Sequence, residues 1–209
     1  MKNSFWSILY IVLTLAANSG LAQDTLWYES GAVKAVGEIK KGVKEGYWEY
    51  FYPSGQLSAG LGYEDGRLEG DQAYFYPNGT LQALEWWEAD LPVDSAFYYH
   101  ENGALDRKGI YRDGLYEGFW EFYYPSGTLR QEGNYKDGAP HGLWLNYAET
   151  GSVLQEGEYR EGLEHGFWRF FDEEGHPTYE GSFDMGEKTG QWYFFKKNGK
   201  KKKWKNFKD

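Results

Sequence analysis

Glycine recurs every 24 residues: Gly31, Gly55, Gly79, Gly103, Gly127, Gly151, Gly175 and Gly199 stand in register without a slip. A fixed period of this length marks a repeat architecture, in which one supersecondary unit is laid against copies of itself. Eight residues after each glycine stands Ile39, Tyr63, Trp87, Tyr111, Tyr135, Tyr159, Phe183 or Phe207, and four before it Trp27, Phe51, Phe75, Tyr99, Tyr123, Tyr147, Phe171 or Phe195. Seven before it, Trp48, Trp120, Trp144, Trp168 and Trp192 share a column, and two after it come Val33, Leu57, Leu81, Leu105, Leu129 and Val153. Two further glycine columns follow at fixed distances, one holding Gly42, Gly66 and Gly114, the other Gly46, Gly70 and Gly118.

The unit reads as a β-hairpin. Pro53-Ser54-Gly55, Pro77-Asn78-Gly79 and Pro125-Ser126-Gly127 are turn tripeptides, proline presetting φ at the first corner and glycine taking the left-handed conformation that closes it. Tyr47 to Tyr52, ahead of the turn, are rich in strand formers. Leu57 and Tyr63 behind it are an even number of residues apart, so they face the same way on a strand. Glu64-Asp65-Gly66, Arg112-Asp113-Gly114 and Lys136-Asp137-Gly138 supply a second turn into the next unit. Glycine at this density costs a helix about 1 kcal/mol at each interior position, and a lone hairpin is marginal in water. The units must therefore stack. The expected fold is all-β, an elongated array of antiparallel hairpins forming a single twisted sheet, roughly 75 Å long at ~4.8 Å per strand.

Residues 1–22 have another character. Lys2 precedes an apolar run from Phe5 to Ala17, and Asn18-Ser19-Gly20-Leu21-Ala22 offers the small residues a signal peptidase reads. The run is shorter than the roughly 20 residues that span a bilayer. The expectation is a cleaved signal peptide, with processing before Gln23, a repeat domain over 23–209, and a periplasmic, envelope or secreted location. The chain has no cysteine, which removes both disulfides and a lipid-anchored amino terminus from consideration.

The segment from Gly118 to Gly138, Gly-Phe-Trp-Glu-Phe-Tyr-Tyr-Pro-Ser-Gly127-Thr-Leu-Arg-Gln-Glu-Gly133-Asn-Tyr135-Lys-Asp-Gly138, resembles the bacterial variant of the MORN repeat, which recurs in proteins described as YwqK-type antitoxin components. The resemblance extends over about residues 28 to 207. It implies a sheet of successive hairpins with a role in protein or membrane-surface contacts, and no catalytic residue. An antitoxin role fits poorly with export, because a cytosolic toxin would not meet the exported chain.

Chemistry-bearing patterns are scarce. His100, His141, His165 and His176 form no paired-ligand motif. His141 and His165 share one column, just before a glycine, and are read as exposed turn residues. Gly60-Leu61-Gly62 with Gly66 lacks the helix a dinucleotide loop needs. Nucleophile elbow, Walker loop and cysteine nucleophile are missing, and the many carboxylates give no convergent pair across a cleft. The reading is of a non-enzyme without catalytic, cofactor or metal residues.

The pattern fails in one unit, near residues 80–100. Glu85, Asp90 and Asp94 stand where glycines are expected, and Ala96 replaces tryptophan. Trp86, next to Trp87, faces the opposite side of its strand. Broken local rules are enriched at functional sites, so Trp86, Trp87, Glu88, Asp90, Asp94 and His100 form the candidate partner-binding patch, against the plainer reading of drift in one unit. The carboxyl-terminal hairpin, 196–209, departs differently. Residues 24–195 hold 13 basic and 31 acidic residues, a balance of −18, whereas eight lysines crowd 196–208. Lys200, Lys201, Lys202 and Lys203 are expected to protect an exposed edge strand from further pairing. Attraction to an anionic membrane or to nucleic acid is the other reading of these lysines, nucleic acid being the less expected partner. The function expected is an exported scaffold for a protein partner; an envelope glycan-binding module, with aromatic rings stacked on sugars, is the alternative.

Overall fold

The computed structural model describes residues 23–207; the apolar segment on which the export expectation rests lies outside them. These residues fold into strands and turns with no helix among them. The strands are β1 (Asp24–Trp27), β2 (Val33–Lys40), β3 (Val43–Phe51), β4 (Leu57–Glu64), β5 (Arg67–Phe75), β6 (Leu81–Glu88), β7 (Leu91–Tyr99) and β8 (Leu105–Arg112). They continue as β9 (Leu115–Tyr123), β10 (Leu129–Lys136), β11 (Ala139–Tyr147), β12 (Val153–Arg160), β13 (Leu163–Phe171), β14 (Pro177–Asp184), β15 (Glu187–Phe195) and β16 (Lys201–Phe207). All belong to one 16-stranded sheet whose order along the sheet is the order along the chain, each neighbour antiparallel, from β1 beside β2 to β15 beside β16.

Two turn types alternate. In the first, the Gly55 N–H donates to the Tyr52 carbonyl at 2.8 Å and the Tyr52 N–H to the Gln56 carbonyl at 2.8 Å. The equivalent pair recurs at every unit, and the eight period glycines have φ between 73° and 91°, one local conformation throughout. In the second, both central residues have positive φ, as at Asp65 (48°) and Gly66 (82°). This is the primed turn whose twist matches that of the strands it joins. Ala89 and Asp90 make the same turn without glycine, at φ 47° and 69°.

The third glycine column is not in a turn. Gly46 (φ 66°) opens a bulge in β3: pairing with β2 passes from Glu38↔Glu45 to Val36↔Glu49, so Gly46, Tyr47 and Trp48 all face Gly37. Bulges bend a strand and re-aim its side chains. Here the bulge lays the indole of Trp48 flat over Gly37, where a Cβ would stand 2.3 Å from Trp48 Cδ2. Gly109, Gly133, Gly157 and Gly181 lie in the same way under Trp120, Trp144, Trp168 and Trp192. His141 and His165 precede two of these bulge glycines and stand in β11 and β13, which corrects the turn placement: a glycine column alone does not separate a turn from a bulge, since both demand positive φ.

The five tryptophans are the largest side chains in the core, each almost wholly buried although only one sheet is present. Tyrosines close over them, edge-on from adjacent strands or stacked from the same strand. Tyr135 meets Trp144 at 5.0 Å and 87°, Tyr159 meets Trp168 at 5.1 Å and 88°, and Tyr116 stacks on Trp120 at 3.8 Å. Each indole N–H donates to the carbonyl ten residues earlier, as from Trp144 to Asn134 at 3.0 Å. Burying one such ring at ~25 cal/mol per Å² contributes roughly 4–6 kcal/mol.

Where tryptophan is replaced, the glycine beneath it is replaced too. Leu61 accompanies Gln72, and Glu85 accompanies Ala96. Gln72 is fully buried and takes over the indole's bond: its Nε2 donates to the Gly62 carbonyl at 3.3 Å, and its Oε1 accepts the Gly62 N–H at 3.1 Å. Units are also tied along one margin. The hydroxyls of Tyr28, Tyr52, Tyr76 and Tyr124 donate to the carbonyls of Phe51, Phe75, Tyr99 and Tyr147 at 2.8–2.9 Å. His100 fills the same column and donates through Nε2 to the Tyr123 carbonyl at 3.0 Å. At Ala148 this ladder stops.

Candidate functional site

The strand alternation gives the sheet an inner face carrying the tryptophans and an outer face carrying what alternates with them. On the outer face an apolar row crosses the strands. Trp86 on β6 is 47% exposed, Phe119 on β9 49%, Leu143 on β11 54% and Phe167 on β13 53%, with Ile110 of β8 among them. Phe119, Leu143 and Phe167 each adjoin a buried tryptophan in sequence, and so must point away from it. Trp86 pairs across the sheet with Asp71, whose carboxyl is pushed above its ordinary value by burial.

The residues singled out from the degenerate unit do not converge on one site. Trp86 faces outward, while Trp87 is half-buried on the inner face, its Nε1 donating to Glu85 Oε2 at 2.8 Å. Glu85 also accepts the Tyr98 hydroxyl, and Tyr98 is bonded to Tyr111 at 2.9 Å. Burial first, and then the bond to Glu85, push the Tyr98 phenol far above its ordinary value. Thus Glu85, in place of a glycine, anchors an inner polar cluster beside Ala96. Glu88 ends β6 at the sheet margin. Asp90 closes the turn, its Oδ1 accepting the Leu68 N–H at 2.8 Å. Asp94 takes the bulge position at φ 57°. His100 is a rung of the margin ladder and lies 3.4 Å from Asp106 Oδ1.

The basic hairpin ends the sheet. Lys200 is in the last turn, and Lys201, Lys202 and Lys203 are exposed on β16, which pairs with β15 alone. Lys201 forms an ion pair with Glu180. Among the described residues, Asp172, Glu174 and His176 bring possible metal-ligand atoms within 4.8 Å of one another. They occupy the turn before β14, where the His176 N–H donates to Asp172 Oδ1 at 2.8 Å and the His176 imidazole lies 3.4 Å from the same oxygen.

Sequence reasoning passed over the outer row because aromatic residues occupy both strand parities. It also passed over Tyr179 and Trp204, which stand in columns where other units carry no aromatic ring, such as Ala35, Ala59 and Ala83 for Tyr179. That column contrast was the signal available for finding them.

Comparison with known proteins agrees with the repeat geometry. The family model described as the MORN repeat variant matches residues 44–59, 68–85, 116–137 and 140–161, which fall on β3–β4, β5–β6, β9–β10 and β11–β12 and pass over the hairpin containing Ala96. No curated protein matches the sequence. Among solved structures, the GtfA/B complex bound to UDP and GlcNAc is 11% identical at TM-score 0.25, over 66% of this chain and 27% of that one. The TcdB2-TccC3-Cdc42 structure is also 11% identical, at TM-score 0.20 over 83% of this chain and 13% of that one. At such scores nothing about ligand or partner follows from either. The four matched segments, each a hairpin of the single sheet, make this chain a member of the MORN-repeat family in its variant form.

Proposed function

We propose that the chain is an exported, non-enzymatic scaffold that engages a protein partner in the periplasm or cell envelope. MORN repeats are protein- and membrane-binding modules of a non-catalytic type. The observation that supports a protein partner here is the outer row of Phe119, Leu143 and Phe167, apolar side chains that each leave about half of their surface exposed. They recur every second strand, or roughly 10 Å. A helix advances about 10.5 Å in seven residues, so a partner helix with a heptad apolar repeat, laid across the strands, keeps contact along the row. The −18 balance of the body favours basic residues on the flanks of that helix and steers it in from solution.

The test places a photo-crosslinking residue at Leu143 in cells. One partner should be recovered, and its yield should fall in Phe119→Ser/Phe167→Ser while the melting temperature holds. An undiminished yield in that variant refutes the outer-row assignment, and recovery of the chain from the cytosolic fraction refutes export.

A further inference from the structure

The carboxyl-terminal end of the inner face carries a second feature, distinct from the outer row. A shallow depression of about 480 Å³ is lined by Phe170, Tyr179, Trp204, Gln155, Thr178 and Lys188, among others. Its volume lies in the range of small-ligand sites, roughly 300–1,000 Å³. Tyr179 and Trp204 are 42% and 48% exposed, with ring centroids 5.2 Å apart and planes inclined at 59°. These two rings form an open wedge. Neither belongs to a structural aromatic column, since the position of Tyr179 is alanine in three other units and that of Trp204 is occupied elsewhere by residues such as Val36, Gly60 and Glu132. The repeat is complete without them.

The rest of the lining fixes the chemistry. Lys188 Nζ lies 4.5 Å from the Trp192 ring centroid and 6.0 Å from that of Phe207, and Lys205 Nζ lies 4.7 Å from Phe207. The Lys188 ammonium, which is also 5.4 Å from the Trp204 centroid, therefore stands beside the wedge, with the Lys205 ammonium over the neighbouring Phe207. Gln155 and Thr178 add an amide and a hydroxyl able both to donate and to accept. Aromatic faces carry negative potential and attract the weakly positive C–H face of a pyranose ring, the amide and hydroxyl match sugar hydroxyls, and an ammonium pairs with a carboxylate.

We infer that this depression binds a short stretch of an acidic glycan, a chain whose sugar rings carry carboxylates. The charge distribution disfavours a nucleic acid. A phosphate polymer is densely charged, and beyond the terminal hairpin it would run onto a body of charge −18, whereas sparsely charged sugars can lie against the basic end alone.

The experiment titrates the full chain with oligogalacturonate, with a neutral cello-oligosaccharide of equal length and with oligothymidylate, following tryptophan fluorescence. Oligogalacturonate should bind, the neutral sugar should bind about tenfold more weakly or not at all, and binding should weaken with salt. Trp204→Ala and Tyr179→Ala should each reduce affinity about tenfold, and Lys188→Gln should reduce both affinity and salt dependence. Should Trp204→Ala loosen the last strand, Tyr179→Ala decides, because it restores the residue other units carry there. Equal binding of the neutral sugar, tighter binding of the oligonucleotide, or no binding of oligogalacturonate each overturns the inference. Phe119→Ser should leave the titration unchanged, which keeps this site separate from the protein-binding row.

Discussion

Gly133 has no Cβ because Trp144 occupies its place. A methyl group there would lie 2.2 Å from Cδ2 and 2.3 Å from Cε2 of the indole, well inside contact distance, so Gly133→Ala must lift the ring. The ring's burial is worth about 4–6 kcal/mol at ~25 cal/mol per Å². Its hydrogen bond to the Asn134 carbonyl is worth about 1 kcal/mol more. Partial relaxation leaves an expected loss of about 3–5 kcal/mol, the range for deleting a buried aromatic. Gly142→Ala is the control: nothing lies within 4 Å of its Cβ position, and only the left-handed backbone, φ 74°, is penalised, by about 1–2 kcal/mol. Urea unfolding, followed by tryptophan fluorescence and far-ultraviolet dichroism, measures both. Trp144→Ala alone should cost about 3–5 kcal/mol, and adding Gly133→Ala to it should cost only about 1 kcal/mol more, giving a coupling of about 2–4 kcal/mol. If Gly133→Ala unfolds no earlier than Gly142→Ala, or if the double variant loses the sum of the singles, the stacked glycine is not what seats the tryptophan.

Gln72→Trp should destabilise the chain, because Leu61 fills the place of the supporting glycine, whereas Gln72→Trp with Leu61→Gly should recover most of the loss; thermal melts of the two variants check this, and equal melting temperatures refute it. Burial, and then hydrogen bonding to Tyr50, raise the Tyr63 phenol to about 12, and burial raises Tyr74 to about 12. Their folded values exceed the unfolded value of 10.0, so the stabilisation is complete below pH 10 and is lost as pH climbs toward 12. Tyrosinate absorbance should therefore rise in two stages, the later one together with unfolding, and a single transition near pH 10 with the sheet intact would contradict it.

Much of the fold was readable because the period is unbroken. Pro-Ser-Gly and Asp-Gly corners fix both turn types, and the spacing of Leu57 and Tyr63 fixes strand parity. The bulges were not readable. Gly46 and Gly66 are both glycines with positive φ, yet one bends a strand and the other closes a turn, and only cross-strand register tells them apart. The same register hid the dependence of tryptophan on glycine, although Glu85 and Ala96 break the two columns together. Trp86 and Trp87 were correctly placed on opposite faces by adjacency alone. The role of His100 was visible in its column, where Tyr28, Tyr52, Tyr76 and Tyr124 stand, but a patch drawn along the chain groups neighbours that the sheet separates. The outer row escaped notice because exposure there follows from how the bulge tips one ring inward and leaves its neighbour outside.

The ladder of tyrosine and histidine rungs ends at Ala148, and beyond it the marginal 3.5 Å approach of Thr150 to the Glu173 carbonyl takes its place. Hairpins up to β11 are thus riveted to their successors along this margin, while those after it lack these rungs and are joined elsewhere, by backbone pairing, ring packing and contacts such as Gln191 Nε2 to the Lys205 carbonyl and Lys201 to Glu180. The ribbon is therefore stitched along one margin over its earlier hairpins and open there over its later ones, so that past β11 neighbouring turns can splay without breaking a side-chain rung.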